Sequence, residues 1–403
     1  MPSLRLVVMI SALLSCVAHS ISAQIAVNKC KFLGNVIGNS VPTSFDLYWN
    51  QVTPENAGKW GEAEAEPDVM NWAPLDAAYD HAMNKGYLFK HHTFIWEQQK
   101  PAWLAALSPE EQLEEIEEWM QAFCERYPDT DMIEVVNEPL NAPPAFAAAL
   151  GGAGSTGYDW VIKAFELARN YCPNAKLLIN EYNILNGYTT TASYLQVINL
   201  LKDRNLIDGI GLQGHSLEET TALAIKSRLD AMATAGLPLY ITEYDVRGTN
   251  SQQLDIYQKQ FPVMWSHDAV YGITLWGYVE GQMWRNEAHL LTSGGAERPA
   301  LVWLKDYVKN TIGGTFCDLV TAVEDDEYGL KISPNPSVGG IIRIERPDGV
   351  GMVLVVNSLG RVVAEIDGRG APSINLDLDI APGLYVVRVV DRGRTATRKV
   401  WVE

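Results

Sequence analysis

The sequence predicts an α/β chain: a (β/α)8 barrel, the TIM barrel, followed by a small all-β sandwich. Three observations lead there. From about residue 27 to 317, eight short β-branched runs alternate with amphipathic helical patterns. Beyond a hydrophilic break, only short alternating runs separated by turn residues remain. Charge divides at the same place: of the net −18 on 403 residues, residues 1–326 hold −19 and residues 327–403 hold +1. A chain with 47% hydrophobic and 20% charged residues is an ordinary globular one, which excludes disorder, collagen and coiled coil for most of its length. Its acidic balance repels phosphate backbones, so nucleic acid is not expected as a partner.

Arg5, an apolar run over 6–18 and small or polar residues through Ala23 read as a secretory signal peptide, residues 1–23, cut after Ala23 or Ser20. The stretch Leu13-Leu14-Ser15-Cys16 leaves a lipoprotein site open as the alternative. No other stretch reaches the ~18 apolar residues of a spanning helix. The expected location is secreted, extracellular or at the outer cell surface. Without Cys16, four cysteines remain, and none lies in a metal-type CxxC pair. They are either buried thiols or two disulfides, Cys30–Cys317 and Cys124–Cys172, which export would permit.

Candidate barrel strands are 36–41, 45–52, 88–96, 132–137, 176–181, 209–214, 238–243 and 271–276, within a domain spanning 24–318. Candidate outer helices include 109–126, with Ser108 as N-cap, and 219–235. The acidic run 110–118 is the solvated face of the first of these. An acidic linker at 319–327, holding Glu324-Asp325-Asp326-Glu327, leads to the β-rich domain at 328–403.

Catalytic groups in such a barrel lie at the C-terminal ends of the strands. Polar residues recur at that end here: Glu55 and Asn56, His92 and Trp96, Asn137 and Glu138, Glu181, Gln213 and His215, Glu243 and Asp245, and Trp276. A carboxylate closing an apolar run such as Val135-Val136 is costly unless it is paired or used. Two glutamates across a barrel mouth suit glycoside hydrolysis, one protonating the leaving oxygen while the other attacks the anomeric carbon. Asn137 could donate to a sugar 2-hydroxyl.

At these segments the sequence resembles glycoside hydrolase family 10, the xylanases. Asn50-Gln51-Val52-Thr53-Pro54-Glu55-Asn56-Ala57-Gly58-Lys59-Trp60 is similar to that family's VTPEN…KW signature. His92-Thr93-Phe94-Ile95-Trp96 through Gln99 and Pro101-Ala102-Trp103, Val135-Val136-Asn137-Glu138, and Ile179-Asn180-Glu181-Tyr182-Asn183 resemble further family segments. So do the run from Asp208 to His215, Ile241-Thr242-Glu243-Tyr244-Asp245, and Trp276-Gly277 with Trp284. The resemblance implies Glu138 as acid/base and Glu243 as nucleophile in endo-type cleavage of β-1,4-xylan with retention. It implies that Glu55, Asn56, Lys59, His92, Trp96, Gln99, Asn137, Tyr182, Gln213, Trp276 and Trp284 hold sugars, and that His215, backed by Asp245, holds Glu243. It implies no metal and no cofactor, and a monomer is expected. Rival readings are another β-glycanase acting on glucan or mannan, and a non-hydrolytic glycan-binding surface protein.

Departures from the family pattern are Glu97 where a second histidine is usual, Tyr244 for leucine, Arg298 for lysine and Glu280 for aspartate. Lys90 and Glu134 also depart, on neighbouring strands and both two-residue multiples from inward-facing groups, so an ion pair beneath the site is expected. In the tail, Ile332-Ser333-Pro334-Asn335-Pro336, Asn357-Ser358-Leu359-Gly360 and Gly383-Leu384-Tyr385-Val386-Val387 resemble the C-terminal sorting domain of type IX secretion substrates. That implies secretion machinery as a partner. A carbohydrate-binding sandwich is the alternative, although past Tyr328 the tail offers only Trp401 and Tyr385 for stacking.

Overall fold

The computed structural model describes residues 24–311 except 28 and 39, and residues 329–403 except 358–361 and 392–393. The expected signal segment, the expected acidic linker and Cys317, and with it the expected Cys30–Cys317 pairing, lie outside the described residues. Eight parallel strands close a barrel in sequence order: β1 (Phe32–Ile37), β2 (Gln51–Pro54), β3 (Leu88–Ile95), β4 (Met132–Asn137), β5 (Lys176–Glu181), β6 (Gly209–Leu212), β7 (Leu239–Tyr244) and β8 (Val270–Leu275). Closure comes from β1 pairing with β8, Phe32 beside Gly272 through Asn35 beside Leu275. Around it run α1 (Trp60–Ala63), α2 (Ala73–Lys85), α3 (Pro109–Arg126), α4 (Asp159–Tyr171), α5 (Thr191–Lys202), α6 (Ala222–Ala233), α7 (Asn250–Ser266) and α8 (Pro299–Asn310).

Two strands differ from expectation. The first lies at 32–37, not 36–41, and residues 45–47 of the expected second strand form a 3-10 turn before β2 begins at Gln51. Every residue of β1 is buried, so it shows no inside–outside alternation to read. Phe45, Leu47 and Trp49 imitate a strand's period of two while their backbone turns back on itself. Helix α3 begins and ends where the sequence places it. Its capping box is complete: the Glu111 amide donates to Ser108 Oγ at 3.3 Å and the Ser108 amide to Glu111 Oε2 at 2.8 Å. A disulfide joins Cys124 on α3 to Cys172 just past α4, their Cα atoms 5.3 Å apart.

Inside the barrel, side chains stack in layers. Phe32, Leu88, Met132, Leu178 and Tyr240 form an apolar plug. Two residues further along three of these strands come Lys90, Glu134 and Asn180, all buried. Strand periodicity therefore builds an oily floor first and a polar layer above it. A Cβ on Gly272 would fall 2.2 Å from the Phe32 ring, which is why only glycine lets the plug close there.

Past residue 329, β9 (Lys331–Ser333), β10 (Ile341–Asn357), β11 (Val362–Asp377), β12 (Gly383–Asp391) and β13 (Arg394–Val402) form the expected all-β domain. Its strands belong to one curled antiparallel sheet, ordered β11-β10-β12-β13 with β9 on β10. Register shifts along β10 and β11 bend the two long strands. The sheet encloses a core of its own, including Ile342, Ile344, Val353, Val355, Val387 and Val400.

Candidate active site

A cleft of about 690 Å³ opens at the C-terminal end of the barrel. It brings together Glu55, Asn56, Lys59, His92, Trp96, Gln99, Asn137, Glu138, Tyr182, Gln213, His215, Glu243, Trp276 and Trp284. Of the strand-end residues singled out in the sequence, Asp245 and Glu181 stand outside the cleft lining, Asp245 behind His215 as expected. Gln98, Asn183 and Ser216 complete the wall.

Glu138 follows the last residue of β4, and its Oε2 accepts from Trp96 Nε1 at 3.0 Å and its Oε1 from Gln213 Nε2 at 3.1 Å. Burial pushes its carboxyl above the ordinary value, more strongly than these two donors pull it down. Glu243 on β7 is opposite in character. Burial raises it too, but the His215 hydrogen bond and the charges of His92, His215 and Lys90 prevail and bring it down to about 2. His215 bridges two carboxylates, Nε2 to Glu243 Oε2 at 3.0 Å and Nδ1 to Asp245 Oδ2 at 2.9 Å. Although burial opposes its charge, Asp245 and Glu243 raise its imidazole to about 9. The cleft thus holds one carboxyl biased toward its proton and another biased to lose it.

Between them runs a chain of amides. Gln213 Nε2 reaches Asn137 Oδ1 at 3.2 Å, and Asn180 Nδ2 reaches Asn137 Oδ1 at 2.9 Å and Glu243 Oε1 at 2.7 Å. With its oxygen facing two donors, Asn137 keeps its NH2 for the cleft. On the other wall, Lys59 donates to Gln99 Oε1 at 2.5 Å and to Asn56 Oδ1 at 3.1 Å, and lies 5.0 Å from the Trp96 ring centre. Desolvation lowers the Lys59 ammonium and raises the Glu55 carboxyl, both of which line this wall. Trp276 and Trp284 both pack edge-on against His215, ring centroids 6.1 and 4.7 Å away. Trp284 is still 55% exposed, a flat apolar face at the rim.

The expected pair beneath the site is present: Lys90 Nζ bonds Glu134 Oε1, and both side chains are fully buried. Glu134 Oε2 also meets His92 Nδ1 at 2.5 Å, so the pair reaches directly into the cleft wall. Removing one partner strands a buried charge, and Lys90→Met or Glu134→Gln is each expected to cost roughly 3–5 kcal/mol. The double variant should lose far less than the sum. Chemical denaturation of the four proteins measures this, and additive losses would count against the coupling.

His215 supplies the next test. Without its hydrogen bond and charge, burial of Glu243 is opposed only by the neutral Asn180 amide and by the charges of His92 and Lys90, so that carboxyl rises. In His215→Asn the acidic limb of kcat/KM is expected to move up by roughly one to two pH units. An unmoved limb would mean that Asn180, Lys90 and His92 suffice to keep Glu243 ionised.

The other departures do not touch the cleft. Glu97 turns away, its oxygens taken by Lys100 Nζ at 2.5 Å and the Ala145 amide at 2.6 Å, so it braces the loop after β4. Tyr244 is buried on the outer face of β7 and donates to Gln260 Oε1 at 3.0 Å. Glu280 accepts from the Ser293 amide at 2.9 Å and is not among the residues lining the cleft. Arg298 precedes α8 and fastens it to Asn250 and the carbonyls of Gly248, Glu287 and His289.

Sequence reasoning assigned no role to Asn180 or Arg285. Asn180 lies at the centre of the amide chain, and Arg285 Nη1 donates to Asp245 Oδ1 at 2.9 Å. The neighbouring Trp284 Nε1 donates to the other oxygen of Asp245 at 2.8 Å. The inward step of two from Leu178 points to Asn180, whereas nothing local points to Arg285. His92, Glu134 and Glu243 each offer a ligand atom within 4.8 Å of the others, a spacing a metal could use. His92 Nδ1 and Glu134 Oε2 already bond each other, Glu134 Oε1 bonds Lys90, and the Glu243 oxygens bond Asn180 and His215, so the donor set is committed within the protein.

Comparison with known proteins agrees with this geometry. Endo-1,4-beta-xylanase B of Cellvibrio japonicus is 44% identical over 280 residues, which cover 68% of this chain and 45% of that protein. The chain therefore spans less than half the length of that relative. Beta-1,4-xylanase of Dictyoglomus thermophilum is 28% identical over 258 residues, covering 59% of this chain and 73% of the other. Among solved structures, native xylanase 10B from Thermotoga maritima superposes with a TM-score of 0.61 at 24% identity, covering 72% of this chain and 98% of that one. That similarity speaks for the fold. The family model described as Glycosyl hydrolase family 10 matches residues 15–310, a span that takes in all eight barrel strands, and so the chain belongs to glycosyl hydrolase family 10.

Proposed function

We propose that this protein is an endo-1,4-β-xylanase that cuts internal bonds of xylan with retention of configuration. The observation that carries the reading is the pair of carboxyls in one cleft, Glu138 pushed up and Glu243 pulled down, because opposed environments assign acid and base. Glu243 attacks the anomeric carbon while Glu138 protonates the departing oxygen. A glycosyl-enzyme forms, and Glu138, now ionised, takes a proton from the water that hydrolyses it. The Asn137 amide donates to the sugar 2-hydroxyl as charge develops on the ring. Lys59, Asn56 and Gln99 bind hydroxyls, and Trp276 and Trp284 pack against sugar faces. Xylan as substrate rests on family membership and on the xylanases to which the chain is similar. Reducing-sugar release from xylan, glucan and mannan tests it, with NMR of the first-formed product for stereochemistry. Inversion, or a preference for glucan or mannan, would overturn the reading.

We also propose that residues 1–23 direct export and that residues 328–403 serve as a sorting domain for type IX secretion. The tail motifs and the sheet's separate core support this. A chain lacking residues 327–403 is expected to retain xylan cleavage within about twofold, since every proposed catalytic group precedes Trp284. In the native host it should accumulate in the periplasm, and undiminished release into the medium would rule out the sorting role.

A further inference from the structure

Glu181 is a buried acid beside the cleft that the mechanism above leaves idle. It ends β5, is fully buried, and does not line the cleft. Its two oxygens accept three hydrogen bonds: Oε2 from the Leu140 amide at 2.8 Å, and Oε1 from Asn141 Nδ2 and the Tyr182 amide, each at 2.9 Å. Two of these donors belong to the segment that immediately follows Glu138. The third belongs to a residue whose side chain lines the cleft.

Glu138 needs such support. Its backbone is left-handed, φ 60°, a conformation that side chains other than glycine adopt only where the surroundings impose it. On its near side the Glu138 amide is held by the Asn180 carbonyl at 2.8 Å. On its far side the chain runs into Leu140 and Asn141, whose donors converge on Glu181. Asn141 in turn reaches Thr189 Oγ1 at 2.9 Å in the loop after β5. The carboxylate thus sits where the loop after β4 and the loop after β5 meet.

We propose that Glu181 is a positioning residue for the acid/base: by gathering the Leu140 amide, the Asn141 side chain and the Tyr182 amide, it fixes the left-handed turn that aims Glu138 at the leaving oxygen. A carboxylate suits the place because it only accepts, and all three neighbours donate; burial raises the group to about 7 against the pull of those donors, so the acceptor-only form prevails above that pH. Glutamine keeps the shape but turns an NH2 toward at least one donor, which must then move away. The bonds that hold the Glu138 carboxyl itself, from Trp96 and Gln213, lie on other strands and remain. The displaced element is the backbone that carries it.

The inference rests on Glu138 being the proton donor, and its test separates the two. Kinetics of the full chain are compared for wild type, Glu181→Gln, Asn141→Ala and Glu138→Ala, on xylan and on dinitrophenyl xylobioside, whose leaving group needs no proton. For Glu181→Gln, kcat/KM on xylan is expected to fall roughly 10- to 100-fold while the aryl substrate stays within about threefold. Asn141→Ala, at an exposed position, should fall in the same direction by a smaller factor, and it carries the test if Glu181→Gln does not fold. Equal losses on both substrates, or no loss on xylan, overturn the positioning role. If Glu138→Ala itself loses equally on both, the proton-donor assignment fails instead.

Discussion

Glu243→Gln is expected to abolish turnover on every xyloside, activated or not. The amide is isosteric, so the cleft, the His215 bond and substrate affinity should survive while the nucleophile does not. Removing a nucleophile from a group that acts as a unit costs on the order of 10⁵- to 10⁶-fold in kcat. One feature sharpens this case. His215 is drawn toward its charged form by Glu243 and Asp245 together, so Glu243→Gln leaves an imidazole answering to Asp245 alone. The variant should still bind xylo-oligosaccharides, and calorimetry alongside a burst-free progress curve would show binding without chemistry. Residual activity above about one part in 10³ would point to a different nucleophile.

Glu138→Ala is expected to divide substrates by their leaving group. On xylan, where the departing alkoxide is a strong base, loss of the proton donor should cost roughly 10²- to 10⁴-fold. On dinitrophenyl xylobioside the first step should run almost unimpaired. Hydrolysis of the glycosyl-enzyme then slows because no base activates water, so that intermediate should accumulate and be visible by mass spectrometry. The pH profile supplies a second reading. Glu138 works protonated and burial holds its carboxyl above the ordinary value, so the alkaline limb of wild-type activity reports its ionisation. That limb should vanish in Glu138→Ala. Its persistence would assign the alkaline limb to another group.

Much of this site could be read before any coordinates because barrel chemistry collects at strand ends, and strand ends carry local signals. Asn137-Glu138 after two valines and Glu243-Tyr244-Asp245 after Ile241-Thr242 are polar residues where an apolar run should continue. Lys90 and Glu134 were legible for a related reason: strand periodicity alone places both inward, and a buried charge requires an opposite. Arg285 and Glu181 were not legible in their roles. Each acts through hydrogen bonds to partners about 40 residues away, Arg285 to Asp245 and Glu181 to Leu140 and Asn141. No window along the chain contains both ends of such a bond. The first two strands were misplaced for the opposite reason. β1 is buried on all sides and lacks the alternation that marks a strand, while 45–49 shows that alternation in a turn.

The bond between Cys124 and Cys172 separates how fast this protein works from how long it lasts. It closes a span of 48 residues, and in the chain-entropy view a link of that length stabilises by about 4 kcal/mol. Yet it joins two outer helices and touches no residue of the cleft. Reduction should therefore leave the initial rate of a folded molecule untouched and shorten the time for which the molecule stays folded. A batch made in a reducing cytoplasm and one made in an oxidising compartment would look identical in a one-minute assay and diverge over a day of digestion.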